Sequence, residues 1–349
     1  MLVISGREIG PGRTPFVIAE MSCNHHGRYD EAEKIVRAAK EAGADAIKLQ
    51  TYTPETMTLD APQPWFRIKG TIWDGRGLHE LYREAMTPWE WHAPLKALAD
   101  SLGLVLFSSP FDASAVDFLE SLGMPAYKIA SFENGDIPLI RRVAATGKPI
   151  IVSTGTATTE EVDEAVRTLV GAKANFALLK CVSAYPAPPE EMNLRAIPAL
   201  AARHGVPIGL SDHTLGSSVA TAAVALGACV IEKHLTISRA AGGPDAPFSM
   251  EPLEFKAMVA DLRAAQTALG DGRLGPALSE APSRAFRRSL FIVKDVKRGE
   301  ALTPDNIRAI RPGNGLPPKE YDSVLGLTAA RDIARGTPLS WDLVIKERP

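Results

Sequence analysis

The sequence predicts an α/β fold, a (β/α)8 or TIM barrel followed by a small β-rich domain. Three observations carry this. Eight short apolar runs alternate with amphipathic helical stretches over residues 1–270. No Gly-x-Gly-x-x-Gly opens a helix, which argues against the rival doubly wound sheet. Residues 271–285, DGRLGPALSEAPSRA, break the rhythm with Gly and Pro and read as a linker, and the segment after them, 286–349, repeats itself.

The runs, in order, are FVIAEMS (16–22), AIKLQTY (46–52), LVLFSSP (104–110), AYKIAS (126–131), PIIVSTG (149–155), FALLKCVSA (176–184), PIGLSDHT (207–214) and CVIEKHLT (229–236). Such runs suit parallel strands buried on both faces. Between them, YDEAEKIVRAAKEAG (29–43) puts Ala32, Ile35, Val36 and Ala39 on one helical face and stops at Gly43. TPWEWHAPLKALADSLG (87–103) has Thr87 in a cap-like position and Pro88 in the first turn. TTEEVDEAVRTLVG (158–171) opens with threonine caps and first-turn acids. SSVATAAVALGA (217–228) is small and apolar, as a helix packed closely on a sheet requires. The longest insertion, 53–86, contains IKGTIWDGRGLHELYREA; in a barrel it lies on the carboxyl-end face, and its DGR at 74–76 reads as a turn. In the last segment KDVKRGEALTPDN (294–306) parallels RDIARGTPLSWDL (331–343), both reading Asp-apolar-x-Arg-Gly-x-x-Leu-Ser/Thr-x-Asp. A pseudo-symmetric unit follows, marginal in isolation at about 64 residues.

With 349 residues, 45% of them hydrophobic, the chain can bury a barrel-sized core. A formal net charge of −2 and 6% aromatics point away from nucleic acid and membrane partners. Cys23, Cys181 and Cys229 lack zinc-like spacing and read as free thiols in a reducing compartment. Residues 1–15 are broken by Gly and Pro, unlike a signal peptide, and no apolar run reaches the roughly 18 residues of a membrane span. A soluble cytoplasmic protein is expected.

Polar residues collect in the second halves of the runs: Glu20; Lys48 and Gln50; Ser108 and Ser109; Lys128 and Ser131; Ser153; Lys180, Ser183 and Tyr185; Ser211, Asp212 and His213; Glu232 and His234. Barrel active sites form at the carboxyl ends of strands, so these residues converge on one mouth. Period-2 alternation puts Lys48 with Gln50, Ser211 with His213, and Glu232 with His234, while Lys233 points the other way. Two imidazoles from adjacent strands suit Mn, Fe, Co or Zn better than Ca. Ser109, Ser131, Ser153, Ser183 and Ser211 beside Lys48 and Lys128 make a phosphate-sized anion site without a P-loop. Phosphate, a divalent metal and a barrel mouth fit an aldolase or phosphate-lyase class of reaction. The plainer readings stand beside these: a lone strand-end His is ordinarily structural and a strand-end Ser ordinarily turn chemistry. A Lys inside an apolar run is harder to dismiss, since buried Lys is rare unless paired. His25, His26, His79, His92 and His204 read as surface or loop residues, His25 being the first candidate exception.

The motifs IAEMSCNHHG, AIKLQTYTPETMTLD, FSSPFD, AYKIASFE, PIIVSTG, SDHT, IEKHLT and GGPDAPFSMEP resemble, in order, those of the sialic acid synthase family, whose members condense phosphoenolpyruvate with an N-acetylated amino sugar. The final segment resembles that family's antifreeze-like (SAF) domain. LQTYTPETMTLD, TIWDGRGLHELYREAMTPWEWH and VSAYPAP look most like the pseudaminic acid branch, whose sugar is 2,4-diacetamido-2,4,6-trideoxy-L-altrose; sialic and legionaminic acid synthases are the nearer rivals, and a non-catalytic carbohydrate-binding protein the remoter one. His26 in NHHG departs from the family's Asn-His-Asn-Gly, and Ser183 stands where the sialic branch has Asn. The resemblance implies that His213 and His234 ligate a divalent metal, usually Mn²⁺, with Mg²⁺ or Co²⁺ as alternatives. It places Lys48, Lys128, Ser131, Ser153, Ser183 and Ser211 around phosphoenolpyruvate, and Glu20, Gln50, Tyr185 and Asp245 around sugar and metal. Glu20 is the candidate acid/base. Arg311, in IRPGNG, matches an arginine that reaches the other subunit's site, so a domain-swapped homodimer is implied.

Overall fold

The structure, a computed structural model, describes residues 1–345. The chain divides into two compact units, Met1–Gly270 and Asp271–Pro349. The first opens with a hairpin that the sequence reading missed, β1 (Leu2–Ile4) paired antiparallel with β2 (Arg7–Ile9). All eight apolar runs then form strands: β3 (Phe16–Glu20), β4 (Ala46–Thr51), β5 (Val105–Pro110), β6 (Tyr127–Ile129), β7 (Ile150–Ser153), β8 (Phe176–Cys181), β9 (Ile208–Asp212) and β10 (Val230–His234). They close into a parallel barrel, β10 pairing with β3.

Alternation sorts the strand residues into two cores. Val17, Ala19, Ile47, Leu49, Leu106, Ile129, Val152, Leu178, Leu210 and Ile231 belong to the layer between strands and helices. Phe16, Ile18, Ala46, Phe107, Ala126, Ile151, Ala177, Leu179 and Val230 fill the lower barrel together with Leu2, Ile4 and Ile9 of the hairpin. The hairpin thus plugs the amino-terminal end of the barrel with apolar side chains. At Gly209 a Cβ would lie 2.4 Å from the Val230 carbonyl oxygen, so this inner layer has room only for glycine there. Two residues further along each inward register, the apolar layer gives way to the polar one: Ile18 to Glu20, Ala46 to Lys48, Phe107 to Ser109, Ile151 to Ser153, Val230 to Glu232.

The helices are α1 (Tyr29–Glu41), α2 (Pro54–Met57), α3 (Leu78–Ala85), α4 (His92–Ser101), α5 (Ala113–Ser121), α6 (Ile137–Ala144), α7 (Thr159–Gly171), α8 (Ala196–His204), α9 (Ser218–Ala225) and α10 (Pro252–Ala268). Thr158 caps α7 through a reciprocal box with Glu161. Thr87 is not a cap: a 3-10 turn, Trp89–Trp91, precedes α4, and the Thr87 hydroxyl instead meets His25 Nε2 at 3.2 Å. In the insertion Asp74 Oδ1 accepts from Gly70 N at 2.7 Å, making the expected turn. Trp73 beside it donates to the Pro244 carbonyl at 3.1 Å and packs against Tyr185. Among the described residues no helix is long and apolar enough to cross a membrane.

The second unit pairs β11 (Ser289–Ile292) with β12 (Ile307–Ile310), and β13 (Thr328–Ala329) with β14 (Val344–Ile345); α11 (Tyr321–Val324) lies between β12 and β13 in the chain. The sequence repeat is a structural one. Val296 and Ile333 exchange backbone hydrogen bonds, Asp295 accepts from Arg335 N, and Asp332 accepts from Arg298 N. Each repeat's aspartate therefore caps the other repeat's Arg-Gly turn, around a core that includes Leu290, Ile292, Val296, Leu302, Leu327, Ile333 and Leu339.

Candidate active site

The polar layer at the carboxyl end of the barrel is a charge network centred on Glu232. Its Oε1 lies 3.6 Å from Lys128 Nζ and 3.8 Å from Lys48 Nζ, and accepts from Ser211 Oγ at 3.2 Å. Lys48 Nζ also sits 2.6 Å from Glu20 Oε2 and donates to Ser109 at 3.2 Å; Lys128 donates to Ser153 at 2.6 Å. Register makes this inevitable: Glu20 pairs with Lys48 across β3 and β4, and Glu232 with Ser211 across β10 and β9. Burial opposes charge on Glu232, but Lys128 and Lys48 outweigh it and bring the carboxyl down to about 2. Burial likewise disfavours a charged Lys48, yet Glu20 and Glu232 lift it above the usual range, while at Lys128 burial wins and lowers it. Glu232 therefore stays ionised and Lys48 cationic, and Glu232 Oε2 is buried with bonding capacity left over.

Beside this network His213 and His234 face each other with ring centroids 5.4 Å apart. His213 Nδ1 lies 3.0 Å from the Val182 carbonyl, so that nitrogen carries the proton and Nε2 presents its lone pair. His234 Nδ1 lies 3.4 Å from Asp245 Oδ2, and Ser22 donates to the same oxygen at 2.5 Å. Burial raises Asp245, but His234 and Ser22 outweigh it and the carboxyl falls below its ordinary value. Tyr185 and Phe248 wall the pair, Tyr185 at 4.5 Å from the His213 ring and Phe248 at 5.0 Å from His234. Among the described residues no group of three or more His, Cys, Asp or Glu is arranged to hold a metal. The donor set still fits a catalytic divalent ion: two imidazoles, one with its tautomer fixed from behind, leave the other positions to water and substrate.

The remaining expected residues fall around these two groups. Gln50 donates to Glu20 Oε1 and Ser22 Oγ, each at 3.1 Å. Ser131 and Ser183 converge on Gly155, where a Cβ would lie 2.7 Å and 2.4 Å from their hydroxyl oxygens; a bare glycine keeps that cradle open. Arg311 belongs to the second unit, exposed and immediately after β12.

Sequence reasoning missed two residues. Glu133, two positions beyond Ser131, keeps Oε2 buried without a hydrogen-bond partner, and burial pushes its carboxyl up to about 7. No strand spacing could have found it, because Ser131–Glu133 is a 3-10 turn. Cys181 was read only as a free thiol. Its Sγ lies 3.7 Å from Ser183 and 3.8 Å from His213 Nδ1, and although burial raises it, His213 brings it down to about 7. The expectation that the other histidines are surface or loop residues fails for His79 and His92, which are buried on helices, while His25, the exception foreseen, is buried in the turn after β3. His92 Nε2 meets Thr51 at 2.8 Å, and burial holds His25 and His92 down at about 4. Their partners stand between strand and helix, where an apolar run gives no hint of a polar contact.

Comparison with known proteins agrees with this geometry. The NeuB family matches residues 35–274 and the SAF domain residues 287–345. A pseudaminic acid synthase from Helicobacter pylori is 48% identical, covering 94% of this chain and 97% of that one. An N,N'-diacetyllegionaminic acid synthase from Legionella pneumophila is 38% identical, covering 95% of each. Among solved structures, an N-acetylneuraminic acid (sialic acid) synthetase from Leptospira borgpetersenii aligns with a TM-score of 0.73 at 32% identity, covering 81% of this chain and 94% of that one. Barrel, mouth and trailing repeat together place the chain in the NeuB family, to which it belongs.

Proposed function

We propose that this chain condenses phosphoenolpyruvate with 2,4-diacetamido-2,4,6-trideoxy-L-altrose and water, giving pseudaminic acid and phosphate. The observation that carries the reading is the meeting of Lys48, Lys128 and Glu232 with the His213–His234 pair at one barrel mouth. The choice of sugar is supported by the higher identity to the Helicobacter synthase than to the Legionella one.

In this reading C3 of phosphoenolpyruvate attacks the aldehyde C1 of the open-chain sugar, water adds at C2, and the C–O bond to phosphate breaks. Lys48 and Lys128, with Ser109, Ser131, Ser153, Ser183 and Ser211, hold the carboxylate and phosphate and stabilise charge as it develops. His213 and His234 hold a divalent ion, Mn²⁺ with Mg²⁺ or Co²⁺ as alternatives, which when bound supplies Lewis-acid polarisation of the sugar carbonyl. Gln50, Tyr185 and Asp245 line the sugar side. Glu20 is engaged by Lys48, Gln50 and the Ser22 amide, which suits a positioning carboxylate. Glu133, half-buried, with Oε2 buried and without a hydrogen-bond partner and its carboxyl pushed up to about 7 by burial, is the better placed acid/base.

A cytoplasmic, domain-swapped homodimer completes the reading, with Arg311 delivered to the partner's mouth. Arg311→Ala is then expected to impair use of the sugar more than binding of phosphoenolpyruvate; unchanged sugar kinetics would sink the trans-arginine role. For the substrate, phosphate release with Mn²⁺ is compared across the altrose, N-acetylmannosamine and the legionaminic precursor. Release with the altrose alone supports the proposal. Release with another sugar moves the specificity, and none with a properly metallated protein favours a phosphoenolpyruvate-dependent synthase acting on a sugar phosphate or a carbohydrate-binding role.

A further inference from the structure

We propose that the buried Asp212–Lys233 pair, on the outer face of the strands that carry the two histidines, is a positioning device that sets His213 against His234. The inference rests on the metal-site reading of those histidines.

The two imidazoles are held by unequal means. His234 is the last residue of β10; it lies in register with Glu20, and its carbonyl accepts from Met250 N at 2.9 Å. His213 lies one residue beyond the end of β9, past the last ladder pair, Lys233 opposite Asp212. Its own carbonyl accepts from the loop amide of Ala187, at 3.0 Å, rather than from a neighbouring strand. A ring displaced by even 1 Å would spoil a two-histidine site.

The residues on either side of His213 are clamped. Asp212 Oδ1 accepts the backbone N–H of Thr214 at 2.9 Å and its hydroxyl at 2.8 Å. Lys233 Nζ donates to Asp212 Oδ2 at 2.7 Å and to the Thr214 carbonyl at 2.6 Å. Asp212 and Thr214 are thus tied together across His213, and both are tied to the residue that precedes His234. Both charged side chains are 0% exposed. An apolar pair of similar volume commonly stabilises such a site as well or better, so stability gives no reason for charges here. What charges add is direction: hydrogen bonds of fixed length to the Thr214 backbone, which an apolar pair cannot make.

The test separates position from stability. The double variant Asp212→Leu/Lys233→Met keeps the layer packed and deletes the clamp. Mn²⁺ alone is titrated into the full-length chain, free ion being read by electron paramagnetic resonance, and thermal unfolding is recorded on the same sample. The expected result is an unfolding midpoint close to wild type with Mn²⁺ affinity lowered about 10- to 100-fold, the range typical of lost outer support for a metal ligand. A loss below tenfold in the folded protein overturns the inference. Should the double variant not fold, Asp212→Asn decides by the same criterion, since it keeps Oδ1 for Thr214 but turns the oxygen that accepts from Lys233 into an N–H2 donor and so breaks the link between the two strands. Wild-type protein that takes up no Mn²⁺ overturns both this inference and the metal reading beneath it; wild-type uptake with unaltered variants overturns the inference alone.

Discussion

Glu232 and Lys233 are neighbours on one strand, yet they enter opposite kinds of charge cluster. Outside the barrel, Lys233 meets a single carboxylate at 2.7 Å, and Asp212 and the Thr214 carbonyl take two of its three N–H donors. Inside, Glu232 is shared between two ammonium groups at 3.6 and 3.8 Å, and one of its oxygens has no partner. Glu133 adds a second unsatisfied carboxylate oxygen to the inner set. The outer cluster spends its hydrogen bonds on its own members and on the Thr214 backbone, so it can hold the chain in place but cannot take up a substrate. The inner one is loose, over-supplied with ionisable groups and open toward the mouth, which is the condition for binding a charged substrate and changing its charge.

The contrast can be broken from either side. The largest expected effect is inside: His234→Ala should lose bound metal and about 10³-fold in turnover, as removal of a Lewis acid worth several kcal/mol implies, with the fold intact. Retained metal content contradicts it. Outside, Lys233→Met alone leaves Asp212 buried and unpaired and should cost about 3–5 kcal/mol of stability, largely recovered when Asp212→Leu is added. Denaturant midpoints measure both; a harmless single variant would show that the pair is not closed.

Glu133 sharpens the comparison through pH. Its carboxyl titrates at about 7 when folded against an ordinary 4.5, so folding takes up a proton between those values. Its contribution to stability is present below pH 4.5 and is lost as pH rises through 7. Glu133→Gln should therefore be more stable than wild type at pH 8, by on the order of 2–3 kcal/mol, and no more stable at pH 4.5. The opposite sign in the unfolding midpoints would place Glu133 outside the buried set. The smallest effect belongs to the second unit, where Lys297 and Asp332 pair at 2.9 Å in solvent. Lys297→Ala should leave the unfolding midpoint unmoved, because exposed pairs contribute little.

The barrel was legible because its strands are apolar on both faces and its polar residues recur two apart near the strand ends. That spacing was enough to bring Lys48, Lys128, Glu232, His213 and His234 to one mouth. The SAF-like repeat was legible for a different reason: identical turn chemistry, Asp to Arg-Gly, appears twice. Residues whose partners lie between layers were not legible. His92 needed Thr51, and Thr87 needed His25, contacts that only packing reveals. The β1–β2 hairpin was lost because its strands are 3 residues each, too short to show a period. Glu133 follows β6 in a 3-10 turn rather than a strand, so alternation could not place it.

The most direct test of the barrel mouth as a condensing site uses phosphoenolpyruvate labelled with ¹⁸O at the bridging oxygen, together with Mn²⁺ and the altrose. Mass spectrometry follows both products. The account expects one nine-carbon sugar acid per phosphate, with the label in phosphate, because the C–O bond breaks. Label retained at C2 of the sugar acid, or phosphate released without any sugar acid, would contradict it.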